Sequence, residues 1–107
     1  MTENEKLARL AVLISPETAS DNLLLYLLEQ AEGIVLNRRY PFGAPEGAVV
    51  ERRFEHIQLQ IAVELFSKMG AEGQTVHKEN GIDRTYEAAD VSPSLIRRIT
   101  PMVRSVM

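Results

Sequence analysis

Apolar side chains recur at helical spacing in three stretches of the chain. Leu7, Leu10, Ala11 and Ile14 follow an i, i+3, i+4, i+7 pattern and predict a first helix over 3–14 with that stripe buried. Ser15-Pro16 ends it, because the residue before a proline is pushed away from helical φ/ψ. A second helix is predicted over 20–37, opened by Ser20 or Asp21, either of which offers a side-chain oxygen to free N–H groups. Leu24, Leu27, Leu28, Ala31 and Val35 form one apolar face; Leu25 and Leu36 lie on another side, and Leu23 and Tyr26 widen the cover. A helix apolar round most of its circumference is buried on several sides. Either it is the central helix of the monomer or part of it meets a neighbouring subunit.

Two prolines and two glycines in the run YPFGAPEG, residues 40–47, stop any helix there. Tyr40 and Phe42 in this run plug the end of the bundle or are presented to a partner. The third helix is the longest, over 49–69, with Gly70 suited to the left-handed position just past its end. Its main stripe is Phe54, Ile57, Ile61 and Leu65. A second stripe, Leu59, Ala62, Val63 and Phe66, again exceeds one face. Glu51, Arg52, Arg53, Glu55, Gln60 and Lys68 are expected to face solvent, with Glu51 and Glu55 a mildly repulsive i,i+4 pair.

From residue 70 to residue 86 helical periodicity is lost for longer than a connection inside a compact domain usually allows. Asn80-Gly81 is a preferred centre for a type I′ turn, and its flanks can pair as a β-hairpin with Thr75 opposite Tyr86, Val76 opposite Thr85 and His77 opposite Arg84. Such an arm is too polar to form a core, and an isolated two-stranded hairpin is marginal in water. It either adds its strands to a partner or is a surface loop. Ser92-Pro93 then opens a short fourth helix over 92–99, Ser as N-cap and Pro in the first helical position. Leu95, Ile96 and Ile99 form its apolar patch, and Thr100-Pro101 leads into a tail over 100–107. The predicted fold class is therefore mainly α: one domain over 1–107, four helices, a long loop or hairpin arm over 71–90, and a short tail.

Composition narrows the possibilities. A chain of 107 residues with 45% hydrophobic content can bury a core, and with 6% aromatics and no Trp that core is aliphatic. With no Cys there is neither a disulfide framework nor a thiolate metal site, in keeping with assembly in a reducing cytosol. Arg97, Arg98 and Arg104 give the last seventeen residues +3 against a whole-chain charge of −3, so the first ninety carry −6. A basic tail on an acidic body suits an acidic neighbour, although arginines also favour the C-terminal end of a short helix. Glu3, Glu5, Lys6 and Arg9 interrupt any signal-peptide pattern, and the longest apolar run, residues 23–28, is too short to span a bilayer.

Catalytic chemistry finds little here. His56 and His77 are the only histidines and fall on different elements, so no metal site or other cofactor is expected. No phosphate loop, dinucleotide fingerprint or nucleophile elbow occurs. Helices two and three are joined by too long a connection for a helix-turn-helix. Arg38-Arg39 and Arg52-Arg53 are too few for a surface that tracks phosphates. Sequence-specific nucleic-acid binding is not expected, and a small acidic DNA-associated regulator or packaging accessory protein is the alternative reading.

The run GAEGQTVHKENGIDRTYE, followed by a short helix and Ile99-Thr100-Pro101, resembles the small head-tail connector proteins of long-tailed bacteriophages and prophages, as does the RRYPFG helix end at 38–43. That resemblance extends over nearly the whole chain. It implies a structural virion protein, made in the host cytoplasm, that forms a ring (expected to be dodecameric) between the portal of a filled head and the tail. The ring would extend the DNA channel and carry the next neck or tail-completion protein. A head-to-tail ring needs two different complementary faces on each subunit. The surplus apolar positions Leu25, Leu36, Leu59 and Phe66 are candidates for the subunit interface. Asn80 and Gly81 would set the geometry of the arm, with Val76, Ile82, Arg84 and Tyr86 making its contacts. Portal docking falls by the same resemblance to Arg97, Arg98, Pro101, Met102 and Arg104.

Overall fold

A computed structural model of the chain describes residues 1–71 and 86–102. The expected arm residues Val76, Asn80, Gly81, Ile82 and Arg84, the hairpin itself, and Arg104 of the tail lie outside the described residues. Within them the architecture is mainly helical, with four α-helices and no strand: α1 Glu3–Ile14, α2 Asp21–Arg39, α3 Glu55–Ala71 and α4 Pro93–Ile96.

Each long helix starts where the sequence offers a cap. Thr2 accepts from the Glu5 N–H at 3.1 Å while the Glu5 carboxylate accepts from the Thr2 N–H at 3.1 Å, a reciprocal capping box at the start of α1. Those hydrogen bonds from Thr2, backbone first, hold the Glu5 carboxyl below its usual range. Of the two candidate caps for α2, Ser20 is used, accepting from the Leu23 N–H at 3.1 Å, and Asp21 becomes the first helical residue. The helix runs two residues past its expected end.

α1, α2 and α3 each pack on the other two. In α1, Leu10 and Ile14 are buried as expected and Leu7 packs at the core edge, but Ala11 is exposed. The apolar girth of α2 is largely used inside the subunit: Leu23, Leu24, Leu27, Leu28, Ala31, Ile34 and Val35 are all buried, while Leu25 and Leu36 are half-buried. Both stripes of α3 also turn inward. Leu59 is 2% exposed and Phe66 is 9% exposed, and both belong to the single core cluster. The expected role of these two at a subunit interface therefore meets side chains already enclosed by their own subunit.

The connection between α2 and α3 turns on two glycines. Gly43 has φ +105° and Gly47 has φ +77°, values that L side chains rarely adopt. Phe42 does not plug the bundle; it is 66% exposed. α3 begins later than the periodicity predicted. Val49 and Val50 are non-helical, Arg52–Phe54 form a 3₁₀ turn, and the α-helix proper starts at Glu55. The reason is visible in the side chains: Val50 and Phe54 are both drawn into the core, while the Glu51 carboxylate faces Arg39 and Arg53. The expected Glu51–Glu55 repulsion is not realised, because Glu51 precedes the helix. Glu55 is buried, accepting from the Met1 amino group at 2.8 and 3.1 Å with Lys6 Nζ at 3.9 Å. At its other end α3 continues through Gly70, which therefore does not terminate it.

Gln58 is buried at the junction of the three helices. Its amide nitrogen donates to the Leu28 carbonyl at 3.1 Å and its oxygen accepts from Lys6 Nζ at 2.7 Å, tying α3 to both α2 and α1.

Candidate docking surface along α3 and the end of α2

Residues 86–102 return along α3 in the antiparallel sense, fastened at intervals. The Tyr86 N–H donates to Gln30 Oε1 on α2 at 2.9 Å, and the Tyr86 ring is buried in the subunit core rather than held out on an arm. A 3₁₀ turn at Ala88–Asp90 follows. Three polar residues of α3, each four apart and so on one helical face, then take up successive points of the segment. Lys68 Nζ lies 3.5 Å from Asp90. Glu64 Oε1 accepts from both the N–H and the hydroxyl of Ser92 at 2.9 Å. Gln60 Oε1 accepts from Arg98 at 3.2 Å. Gln60 faces solvent as expected and Lys68 is half-exposed, and both also serve as rungs of this ladder.

Ser92 and Pro93 occupy the N-cap and first helical positions of α4, as the sequence predicts. The Ser92 hydroxyl nevertheless goes to Glu64 rather than capping the helix. α4 spans only Pro93–Ile96, shorter than expected, and Arg97 and Arg98 form a turn. Leu95 and Ile99 reach the core, the latter with no exposed surface, so the segment has an apolar anchor beneath its polar fastenings.

Past Ile99 the chain crosses the end of α2. Arg38 Nε donates to the Ile99 carbonyl at 3.1 Å, an Arg39 guanidinium nitrogen donates to the Thr100 carbonyl at 2.8 Å, and the Met102 N–H donates to the Arg39 carbonyl at 2.8 Å. The helix C-terminus supplies an otherwise unpaired carbonyl, and the two arginines neutralise the partial negative charge there. Arg39 also bonds Glu51 at 2.5 Å, and Arg53 lies on the other carboxylate oxygen at 3.3 Å. Both guanidinium groups stack near the Phe54 ring, Arg53 at 4.8 Å and Arg39 at 5.7 Å from its centroid. The hydrogen bond from Arg39 is the main reason that the Glu51 carboxyl sits below its ordinary range.

Two short pieces of sequence singled out above, the Arg38-Arg39 helix end and Ile99-Thr100-Pro101, thus meet directly in space. Around that junction Arg97, Arg98 and Met102 are exposed and Pro101 is half-exposed. Leu25 lies beside α1 in a groove edged by Glu29 and Glu32, away from this junction. Sequence reasoning missed Glu64, Gln58 and the Arg39–Glu51 pair. A polar residue every fourth position on α3 was the available signal, but a solvated face produces the same pattern. It also missed Val12 and Leu13, which are 73% and 50% exposed at the end of α1. Among the described residues no group of three or more His, Asp or Glu side chains is placed to hold a metal ion, and no helix is long and apolar enough to cross a membrane.

A family model described as phage gp6-like head-tail connector protein matches residues 8–98, from within α1 to just beyond α4. Neither the curated proteins nor the solved structures contain a match to the chain.

Proposed function

The chain belongs to the phage gp6-like head-tail connector family, and from that premise we propose that it is a structural protein of the virion neck that forms a ring between portal and tail. The family is structural rather than enzymatic, and its members are virion components that work against other head and tail proteins. The observation that carries the reading is the extent of the family match, which takes in nearly all of the four-helix arrangement.

The finer assignments rest on the surface just described. Arg97, Arg98, Pro101 and Met102, with Arg104 beyond them, form the face that docks on the portal. The exposed guanidinium groups find an acidic counterpart there, and Met102 supplies a flexible apolar contact. Side-chain bonds from Arg38 and Arg39 to the carbonyls of Ile99 and Thr100, with the Met102 N–H on the Arg39 carbonyl, hold this face on the body, which limits the entropy lost on docking. The residues around Asn80-Gly81, with Val76, Ile82 and Arg84, contact the neighbouring subunit or the next neck protein, and half-buried Leu25 and Leu36 on α2 contribute to the subunit interface. The ring extends the channel for DNA without reading its sequence.

Sedimentation of the purified chain with portal rings of the same phage tests this. Wild type is expected to co-sediment as a ring, and Arg97→Glu/Arg98→Glu to stay at the top of the gradient with an unchanged helical spectrum. Failure of the wild type to associate with portal, together with virion necks that lack the chain, would overturn the proposal.

A further inference from the structure

α1 has a groove on each side, one mainly apolar with a basic rim and the other lined mainly by acidic and polar side chains around Leu25. Between α1 and α3, Ala8, Val12 and Leu13 line an open groove floored by Leu59, with Arg9 and His56 on its rim. Arg9 and His56 continue into a second depression that contains Arg52. The acidic groups nearby are already engaged, Glu5 in its capping box with Thr2 and Glu55 with Met1 and Lys6. Between α1 and α2, Leu25 and Leu28 line a groove edged by Glu3, Glu29 and Glu32. The cation there, Lys6, is committed to Gln58 and Glu55. Among the described residues none of Glu3, Glu29, Glu32, Arg9 or Arg52 takes part in an ion pair.

We infer that these two grooves are the two halves of one interface between copies of this chain. The Arg9/Val12/Leu13 face of one subunit receives the Leu25/Glu29/Glu32 edge of the next. The inference deepens the ring reading and rests on it. Its grounds are electrostatic and apolar complementarity, carried by a single chain. Val12 and Leu13 are adjacent large apolar side chains left in water on a helix whose other large apolar residues turn inward, and exposed apolar groups gathered in a groove mark an interaction site. Leu25, Leu28, Glu29 and Glu32 follow i, i+3, i+4, i+7 spacing, so they present one edge of α2. A foreign partner would satisfy one groove and leave its complement idle, whereas a head-to-tail assembly uses both at every contact. Because the grooves flank the same helix, successive α1 helices alternate with α2 edges around the assembly.

Charge exchange and crosslinking test the pairing. In native mass spectrometry of the chain, alone at rising concentration and with portal rings of the same phage, Arg9→Glu and Glu29→Arg/Glu32→Arg are each expected to raise the concentration needed for assembly by about tenfold or more, because like charges then face each other. Carrying all three changes in one chain is expected to restore assembly. Since the natural chain has no cysteine, Val12→Cys and Leu25→Cys made in separate preparations and mixed under mild oxidation are expected to give the heterodimer in preference to either homodimer. Homodimers alone, or no crosslink in samples where wild type forms oligomers, would overturn this interface and leave the ring reading standing. Absence of wild-type oligomers at every concentration, with portal present, would remove both.

Discussion

The two ends of the described chain are fastened to α3 by different physics. At the amino end, Met1 and Lys6 reach buried acceptors, Glu55 and Gln58, at the junction of three helices. Residues 86–102 are held instead by a row of part-exposed contacts from Lys68, Glu64, Gln60, Arg38 and Arg39, with Ile99 as a deep apolar anchor. A buried polar group that loses its partner suffers the full desolvation penalty, so breaking the amino-end knot is costly. Each exposed contact adds little by itself, since water replaces it at small cost. The body of the protein is thus assembled around α1, α2 and α3, while the proposed docking segment is laid on it by its own buried side chains, Tyr86, Val91, Leu95 and Ile99, and aligned by several weak polar bonds acting together.

The largest expected effect breaks that contrast at its apolar point. Ile99→Ala removes the segment's fully buried side chain and is expected to destabilise the fold by about 2–4 kcal/mol, the usual range for a large aliphatic residue in a core. Chemical denaturation followed by circular dichroism measures it. A loss near zero would mean that the segment is held by its polar rungs after all. Gln58→Ala comes next, at about 1–3 kcal/mol, because Lys6 loses its hydrogen-bond acceptor in a part-buried setting and keeps only the longer contact to Glu55. An unchanged midpoint would show that the amino-end knot contributes no more than a surface contact. Glu64→Ala removes the acceptor for both Ser92 bonds and is expected to cost about 1 kcal/mol, roughly 4–8 °C in melting temperature for a chain of this size. If it costs more than Gln58→Ala, the comparison is inverted.

What could be read in advance follows the same division. Helix limits set by local chemistry were legible: α1 spans the predicted residues, Ser20 is one of the two named caps, and Ser92-Pro93 opens α4. Errors arose where a tertiary contact overrode a local pattern. Periodicity placed the start of α3 at Val49, but burying Val50 and pairing Glu51 with Arg39 keeps those residues extended. The surplus apolar positions Leu59 and Phe66 suggested a second subunit, yet a three-helix core encloses both. Conversely, Val12 and Leu13 lie just off the predicted stripe of α1 and were not singled out. Periodicity says which face of a helix is apolar but not how many neighbours surround it. The proposed docking surface was only partly accessible to sequence reading for that reason. Arg97, Arg98, Pro101 and Met102 were proposed by resemblance, whereas the residues that hold that segment in place, Arg38, Arg39, Gln60 and Glu64, are scattered along two helices and become a set only when the chain folds.

The smallest effect concerns Glu51, which joins the start of α3 to the end of α2 and so supports the layer indirectly. Hydrogen bonding from Arg39, with lesser help from Arg53, lowers its pKa from the ordinary value of 4.5. A carboxyl depressed in the folded state contributes stability that is fully present above its unfolded pKa and is lost as pH falls through the folded one. The window therefore lies below about pH 4.5, and because the group is solvent-exposed the loss is small. Local opening is the sensitive readout. When Glu51 protonates, Arg39 loses one of its two anchors, the other being the Thr100 carbonyl. Hydrogen exchange at the Met102 amide, which donates to the Arg39 carbonyl, is then expected to show less protection on acidification, once corrected for intrinsic exchange rates. In Glu51→Gln that protection should be lower at neutral pH and respond less to acid. Identical protection profiles for the two proteins would separate Glu51 from the layer and leave the other bonds at the end of α2, from Arg38, Arg39 and the Met102 amide, to hold it.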